Sequence, residues 1–100
     1  EAFQNCSSLT SITISNRVTE IEVGVFHGCI GLTNITISNS VEYIEDEAFS
    51  GCSSLTSIIF NGTKEEWLNI VSPYTGEIDD SAITTIHCSD VDFKFRFYVD

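Results

Sequence analysis

Basic residues are scarce in this chain, and their scarcity limits the partners it can have. Lysine and arginine contribute four residues against fifteen aspartates and glutamates, so the 100 residues carry a formal net charge of −11. Such a field repels nucleic acid and anionic membrane surfaces, because both carry negative phosphates. We therefore expect no nucleic-acid partner. No apolar run approaches the ~20 residues of a membrane span, so we also expect no membrane insertion.

The residue groupings that hold metals or perform nucleophilic catalysis are missing as well. There is no Cys-x-x-Cys pair and no pair of closely spaced histidines, so we expect no metal and no cofactor. His87 precedes Ser89 and Asp90, but these two residues are typical of a turn. A catalytic triad needs a base oriented by a buried acid. The sequence therefore predicts no catalytic residues and no enzyme.

What the sequence does contain is a 23-residue internal repeat. Phe3, Phe26 and Phe49 keep this spacing. Six further apolar columns share it, and they begin at Cys6, Leu9, Ile12, Ile14, Val18 and Ile21. A unit this short cannot enclose a core alone, so its columns must meet those of the neighbouring units. We expect the units to stack about 4.8 Å apart, with like residues in ladders. Because Glu1 opens the chain in the middle of a unit, we expect a fragment of a longer protein.

Each unit reads as two short extended stretches joined by turns. In the first stretch, Ile12 and Ile14 are predicted to point inward, and Ser11 and Thr13 outward, because side chains alternate along a strand. An asparagine turn follows at Asn16, and a second stretch runs through residues 18–22. The phenylalanine of each unit is predicted to fill the space between the two sides.

This pattern resembles a known family. The run Phe26-x-x-Cys29-x-x-Leu32-x-x-Ile35-x-Ile37, followed by Val41-x-x-Ile44, resembles the BspA-like leucine-rich repeat over residues 1–63. The resemblance implies a right-handed solenoid in secreted or cell-surface proteins of host-associated bacteria and some protozoa. It also implies adhesion to host proteins or to other cells. The family provides no catalytic residues to transfer.

The last third of the chain departs from the repeat. Thr63 and Glu66 form a capping-box pattern that predicts a helix, with Trp67, Ile70 and Val71 on its buried face. Trp67 lies one repeat length after Ile44, so we expect its indole to continue that column. Residues 72–82 are predicted to be the least regular stretch, with Asp79-Asp80 as a solvated tip. We divide the chain into repeats at 1–63 and a modified repeat with a C-terminal cap at 64–100.

Within this cap we predict a fourth strand in the stack of repeat units, called here the fourth rung, and a closing strand. After an insertion of five residues, Ile83 takes the Leu9 column, Ile86 the Ile12 column and Cys88 the Ile14 column. Residues 91–100 then alternate between apolar and polar side chains. The apolar side of this strand is predicted to cover the end of the stack, and it consists of Val91, Phe93, Phe95, Phe97 and Val99. The other side would face solvent, because it carries the charged residues Asp92, Lys94 and Arg96. The expected fold is a mainly β repeat solenoid with a C-terminal helix and a closing strand.

Four cysteines in a secreted protein suggest disulfides, but their placement favours buried thiols. Cys6, Cys29 and Cys52 share one column on separate units and point the same way, which fits the disulfide torsion poorly. Cys88 belongs to a different column. We expect four buried thiols that behave as small hydrophobic residues.

The acidic residues of the second stretch permit two interpretations. Six carboxylates gather there, on Glu20, Glu22, Glu42, Glu45, Asp46 and Glu47. They are either a solvated face, which we favour, or a calcium site. No Asp-x-Asp-x-Asp-Gly loop supports the second interpretation.

The outer side of the first strands is the candidate binding face. Its residues are Ser11, Thr13, Asn34, Thr36, Ser57 and Ile59, extended by His87. Small hydroxyl and amide side chains on a rigid sheet are accessible to a partner, although a merely solvated sheet face would have the same composition.

Two functions from different classes fit these features. The first is a non-catalytic adhesion or protein-binding module, extracellular or on a bacterial cell surface, with a host or cell-surface protein as partner. The second is an architectural spacer that displays another domain and has no ligand of its own. End-to-end or edge association is a further expectation, because the first repeat lacks a cap.

Overall fold

The computed structural model describes residues 8–22, 26, 28–45, 48–49, 51–71 and 76–97. These residues form eight strands and one helix: β1 Ser11–Thr13, β2 Glu20–Ile21, β3 Asn34–Ser38, β4 Tyr43–Ile44, β5 Ser57–Asn61, α1 Lys64–Ile70, β6 Gly76–Ile78, β7 Thr84–His87 and β8 Asp92–Phe97. Six strands make one sheet in the order β1-β3-β5-β7-β8-β6, and β2 and β4 make a second. The chain is therefore mostly β with one short helix, which fits a repeat fold. The handedness of the coil and the division at residue 63 stay predictions.

The first sheet is built on the repeat register. Ile12 lies opposite Ile35, Ile35 opposite Ile58, and Ile58 opposite Ile86, all in parallel pairing. The first two steps each advance the chain by one repeat length, and the third includes the five-residue insertion, as the spacing predicted. Ile35, Ile58 and Ile86 are fully buried, so the inward column forms a continuous core. The predicted stacking of like residues is confirmed along this ladder.

The second ladder differs from the prediction in its last step. Ile21 pairs with Ile44 in parallel, and Ile44 then bridges to Val71. Val71, and not Trp67, therefore continues the backbone ladder, because helix α1 occupies the intervening residues. Trp67 is nevertheless fully buried, and its ring meets Phe60 and Phe95 edge-on at centroid distances of 5.5 and 5.7 Å.

The predicted capping box starts helix α1. The Thr63 hydroxyl accepts a hydrogen bond from the Glu66 backbone N–H, and the Glu66 carboxylate accepts one from the Thr63 N–H. Asp90 adds a third cap, since its Oδ1 accepts from the Lys64 backbone N–H at 3.0 Å. Among the described residues, no helix is long and apolar enough to cross a membrane.

The segment predicted to be irregular contains a strand. Gly76–Ile78 forms β6, which pairs antiparallel with β8. A side chain at Gly76 would collide with the Arg96 carbonyl and with the Phe95 ring, 2.5 Å from an added Cβ, so only glycine permits this close pairing. Residues 72–75 of the predicted irregular stretch lie outside the described residues. Asp80 is exposed as expected, but Asp79 is half-buried and hydrogen-bonded.

The fourth rung corrects the prediction for Ile83. Ile83 does not enter the core, because 63% of its surface is exposed. Thr84 is buried instead, and its hydroxyl donates to the Leu55 carbonyl at 2.8 Å. Strand β7 begins at Thr84, one residue earlier in the register than β5, so Thr84 alternates in step with the inward Ile86 and Ile83 does not. Ile86 takes its predicted place, and Cys88 packs half-buried against the core.

The closing strand β8 covers the core largely as predicted. Phe95 is buried, and Phe93 and Phe97 are half-buried against the core. Phe97 lies 4.8 Å from Phe49, which itself stacks on Phe26 at 5.3 Å, so Phe97 extends the phenylalanine column. Val91 departs from the prediction, because it precedes the strand and is 43% exposed. Val99 lies outside the described residues.

Candidate protein-binding face

The register places all seven predicted face residues on one side of the large sheet. One row runs across the strands through Ser11, Asn34 and Ser57. A second row, two residues further along each strand, runs through Thr13, Thr36, Ile59 and His87. We call these seven residues the outer face. They alternate with the buried Ile35 and Ile58, so none of them is needed to fill the core.

The outer face is accessible and contains one exposed apolar side chain. Ser11 and Thr13 are exposed, whereas Asn34, Thr36 and Ser57 are half-buried by their neighbours in the rows. Ile59 is 42% exposed between Thr36 and His87. Across β1, β3 and β5 no residue is charged. This part of the sheet therefore offers hydroxyl and amide groups around a single hydrophobic contact.

A separate set of threonines has a structural task and does not belong to the outer face. The Thr33 hydroxyl donates to the Thr10 carbonyl, and the Thr56 hydroxyl donates to the Thr33 carbonyl, across successive units. Thr84 continues this arrangement to Leu55. These hydroxyls fasten one strand to the next, so they are already engaged. The face hydroxyls at Thr13, Thr36 and Ser57 lie outside this column of bonds.

Strands β7 and β8 extend the same surface and add charge. Thr85 continues the Ser57 row and is followed by Lys94 on β8, while His87 is followed by Asp92. The His87 Nδ1 lies 3.2 Å from the Asp92 Oδ2. Sequence reasoning missed Thr85 and Lys94 as members of this surface. The sequence showed that apolar and polar residues alternate along β8, but it did not show which strand β8 pairs with.

Arg96 anchors the far end of the sheet. Its Nε donates to the Asp79 Oδ2 at 2.6 Å, and its Nη2 donates to the Ser81 hydroxyl at 2.9 Å. Hydrogen bonds from the Arg96 side chain and from the Ser81 hydroxyl and backbone lower the pKa of Asp79 from 3.8 to about 2. The exposed turn at residues 79–81 is thereby tied to β8.

Within the repeats, the described acidic residues lie along the second ladder. Glu20, Glu22 and Glu42 are exposed, and Glu45 is half-buried. Glu20 lies opposite Tyr43, whereas the same register brings Glu22 beside Glu45, whose backbone N–H donates to the Ile21 carbonyl. In the part of the chain that the structure describes, no group of three or more histidine, cysteine or acidic residues is arranged to hold a metal. Asp46 and Glu47 lie outside that part.

The cysteines behave as packing residues where they are described. Cys29 is fully buried, and the half-buried Cys52 thiol donates to the Phe26 carbonyl at 3.3 Å. Burial, with a smaller contribution from Cys29, raises the pKa of Cys52 to about 12. Burial and then Asp90 and Asp92 raise the pKa of Cys88 to about 11. Because the thiolate is the nucleophile, a raised pKa lowers the reactivity of both thiols. Burial is complete at Cys29 and partial at Cys52 and Cys88, and Cys6 lies outside the described residues.

The residues around His87 form structural contacts and not a catalytic triad. Asp90 caps helix α1, and the Ser89 N–H donates to the Gly62 carbonyl at 2.8 Å. The acid beside His87 is Asp92, whose side chain is 61% exposed. A triad needs a buried acid to hold its histidine, and Asp92 does not meet that condition.

Comparison with known proteins identifies one family. The model of the family described as BspA type leucine rich repeat region (6 copies) matches residues 1–90. No curated protein and no solved structure matches the chain. The match covers the described repeats and both strands β6 and β7.

Proposed function

The chain belongs to the BspA-type leucine-rich-repeat family, and from this membership we propose that it is a non-catalytic module that binds a protein through its outer face. The supporting observation is the uncharged outer face across β1, β3 and β5, in a chain of net charge −11. An ordinary solvated sheet face would tolerate acids in these positions as readily as the second ladder does. Within residues 8–61 the described acids lie only along the second ladder, and this distribution favours a face kept free for contact.

The chemistry of the outer face favours a protein partner. Hydroxyl and amide groups both donate and accept hydrogen bonds, so they pair with a polar protein surface without burying an unpaired charge. Ile59 supplies a central apolar contact, and Lys94 and Asp92 lie at the rim. This arrangement of an apolar centre and a polar rim is typical of protein interfaces. A host protein or another cell-surface protein is the proposed partner.

The family also supports a proposed location and shape. BspA-type repeats are typical of secreted and surface-exposed bacterial proteins, so we place this module outside the cell. The parallel ladders of β1-β3-β5-β7 and of β2-β4, each built on the repeat unit, are consistent with a right-handed solenoid. Such a coil repeats the same outer rows from unit to unit. A partner that spans several units would therefore meet the same two rows at each step.

The test is a binding measurement with substitutions in the rows. The labelled chain is titrated against an array of purified secreted and cell-surface proteins. We expect saturable binding to at least one of them. Thr36→Lys combined with Ser57→Lys should weaken that binding at least roughly tenfold, because two unpaired charges would be buried in the interface.

The matched control adds the same charge elsewhere. Thr19→Lys combined with Tyr43→Lys changes two exposed residues near the second ladder, and this variant should bind as the parent does. Equal losses in both variants would contradict the assignment of the face. Absence of any saturable partner would favour the architectural spacer instead.

End-to-end association is proposed at the β1 end of the stack. Leu9, Ile12 and Val18 are half-buried there, whereas their counterparts Leu32, Ile35 and Val41 one unit later are at most 1% exposed. Among the described strands, β1 pairs only with β3. A second repeat stack placed against this end would bury the three residues further. Sedimentation over a range of concentrations measures it, and a monomer at every concentration would contradict it.

A further inference from the structure

An apolar cleft opens at the edge of the large sheet where β5 and β7 begin and β8 ends. Its volume is about 330 Å³, at the small end of the range for binding cavities. Its lining includes Phe49, Cys52, Leu55, Ile83, Phe97 and Arg96. It does not share a residue with the outer face.

The repeat register explains why the cleft exists. Each regular unit places a phenylalanine, a cysteine and a leucine at this corner, and the next unit covers them. The pairing of Ser57 with Thr85 sets the spacing from one unit to the next at this point. With that spacing, Glu77 and Asp80 stand where the next unit would have its counterparts of Phe49 and Cys52. Neither is apolar, and Ile83, the successor of Leu55, is 63% exposed. Cys29 is accordingly fully buried while Cys52 is only half-buried. Phe97 covers Phe49 and Leu55 is buried, so the cysteine column is the one that ends, at the half-buried Cys52, without an apolar cover.

Arg96 is the charged residue in the lining of the cleft, and acidic residues lie beside it. Glu77 lies opposite Arg96 in the β6–β8 pairing, and both Glu77 and Asp80 are exposed. Arg96 is already bonded to Asp79. Asp79 and Glu77 therefore both act on the Arg96 guanidinium, and the exposed carboxylates of Glu77 and Asp80 are left to interact with cations from outside. The net charge of −11 adds a long-range attraction for basic partners.

We propose that this cleft is a docking site for a basic protein segment that carries a bulky apolar side chain. A leucine or phenylalanine of the partner takes the place that the missing unit would fill against Cys52, Leu55 and Phe97. Flanking lysines or arginines meet Glu77 and Asp80. An acidic or purely polar segment lacks one of these two contributions. The site is separate from the outer face, so either proposal can fail without the other.

The binding experiment uses the 100-residue chain and three short peptides. The probe is acetyl-Lys-Lys-Leu-Phe-Lys-Lys-amide. In one comparison peptide Ser-Ser replaces Leu-Phe, and in the other glutamate replaces each lysine. Titration is followed through the backbone amide signals of the ¹⁵N-labelled chain. We expect the signals of Cys52, Leu55 and Ile83 to shift saturably with the probe. Binding should be roughly tenfold weaker for the serine peptide and lost for the glutamate peptide. Equal binding of the serine peptide, or shifts centred on Glu20 and Glu42, would overturn the proposal, because either result means non-specific charge attraction.

Two variants with matched controls separate the apolar and the charged contributions. Ile83→Asn should weaken probe binding roughly tenfold, and its high exposure protects the fold from the change. Leu68→Asn, at another exposed apolar residue on α1, should leave the affinity unchanged.

Removing the acidic charges beside the cleft tests the second contribution. Glu77→Gln combined with Asp80→Asn should weaken binding roughly threefold to fivefold, the effect of two exposed ion pairs. Glu20→Gln combined with Glu42→Gln removes the same charge from the second ladder and should have little effect. The proposal fails if Ile83→Asn binds the probe like the parent, or if the two charge variants weaken binding equally.

Discussion

At the scale of single residues, hydroxyl side chains have two different uses in this molecule. Thr33, Thr56 and Thr84 donate to carbonyls of the preceding unit and hold the strands together. Thr13 and Thr36, on the outer face, are displayed to solvent in whole or in part. The composition of a strand does not distinguish these uses. The positions of these residues differ: Thr33 and Thr56 directly precede β3 and β5 and Thr84 begins β7, whereas Thr13 and Thr36 lie further along their strands.

Asp79 gives the residue-scale prediction, which concerns pH. Its pKa of about 2 in the folded chain lies below the ordinary 3.8. A lowered folded-state pKa stabilises the protein above the ordinary value, and that stability is lost as the pH falls from about 3.8 to about 2. Asp79→Asn should therefore be less stable than the parent at pH 7, and the difference should disappear near pH 2. Urea unfolding at a series of pH values measures it.

Asp80→Asn serves as the control, since this neighbour is exposed and its substitution should not change stability at pH 7. A stability difference for Asp79→Asn that stays constant from pH 7 to pH 2 would show that the ion pair with Arg96 is not its cause.

At the scale of elements, the helix was predictable from the sequence and its neighbours were not. The capping box of Thr63 and Glu66 is a local signal, and local hydrogen bonds alone satisfy it. Strand β6 has no such signal, because Gly76–Ile78 is short and depends on pairing with β8, which follows later in the chain. Val71 replaced Trp67 in the second ladder for a similar reason. The length of a helical insertion changes which residue returns to the register, and spacing alone does not reveal that length.

Thr63→Ala tests the contribution of the cap to stability. The change removes the acceptor for the Glu66 N–H, and it should cost about 1 kcal/mol of unfolding free energy. Unfolding in urea can be followed through the fluorescence of Trp67, the single tryptophan of the chain, which lies in the same helix. Asn69→Ala is the matched control, because it changes an exposed position of that helix to a residue of better helix propensity. It should be neutral or slightly stabilising, and a loss as large as that of Thr63→Ala would argue against capping.

At the scale of the whole molecule, the repeat separates charge from contact surface. Within residues 8–61 the described acids lie along the second ladder, and β1, β3 and β5 show uncharged rows on the outer face. The sequence predicted that the seven residues of the outer face share one side of the sheet, because the repeat period and strand alternation fix the neighbour and direction of each side chain. It missed Thr85 and Lys94 on the same surface. It did not predict the corner cleft. That cleft depends on where the insertion ends and on Ile83 pointing away from the core, and both are set by the tertiary pairing of β7 with β5 and β8.

The outer face exists only if the strands pair in the described register, so that register is the most direct test. Backbone nuclear Overhauser contacts across the sheet should join Ile12 to Ile35, Ile35 to Ile58, and Ile58 to Ile86. The last step is the most informative one, because a uniform repeat register without the insertion would place Ser81 opposite Ile58. Contacts between Ile58 and Ile86 are the predicted result. Contacts between Ile58 and Ser81, or antiparallel contacts between β3 and β5, would contradict the arrangement and the binding face built on it.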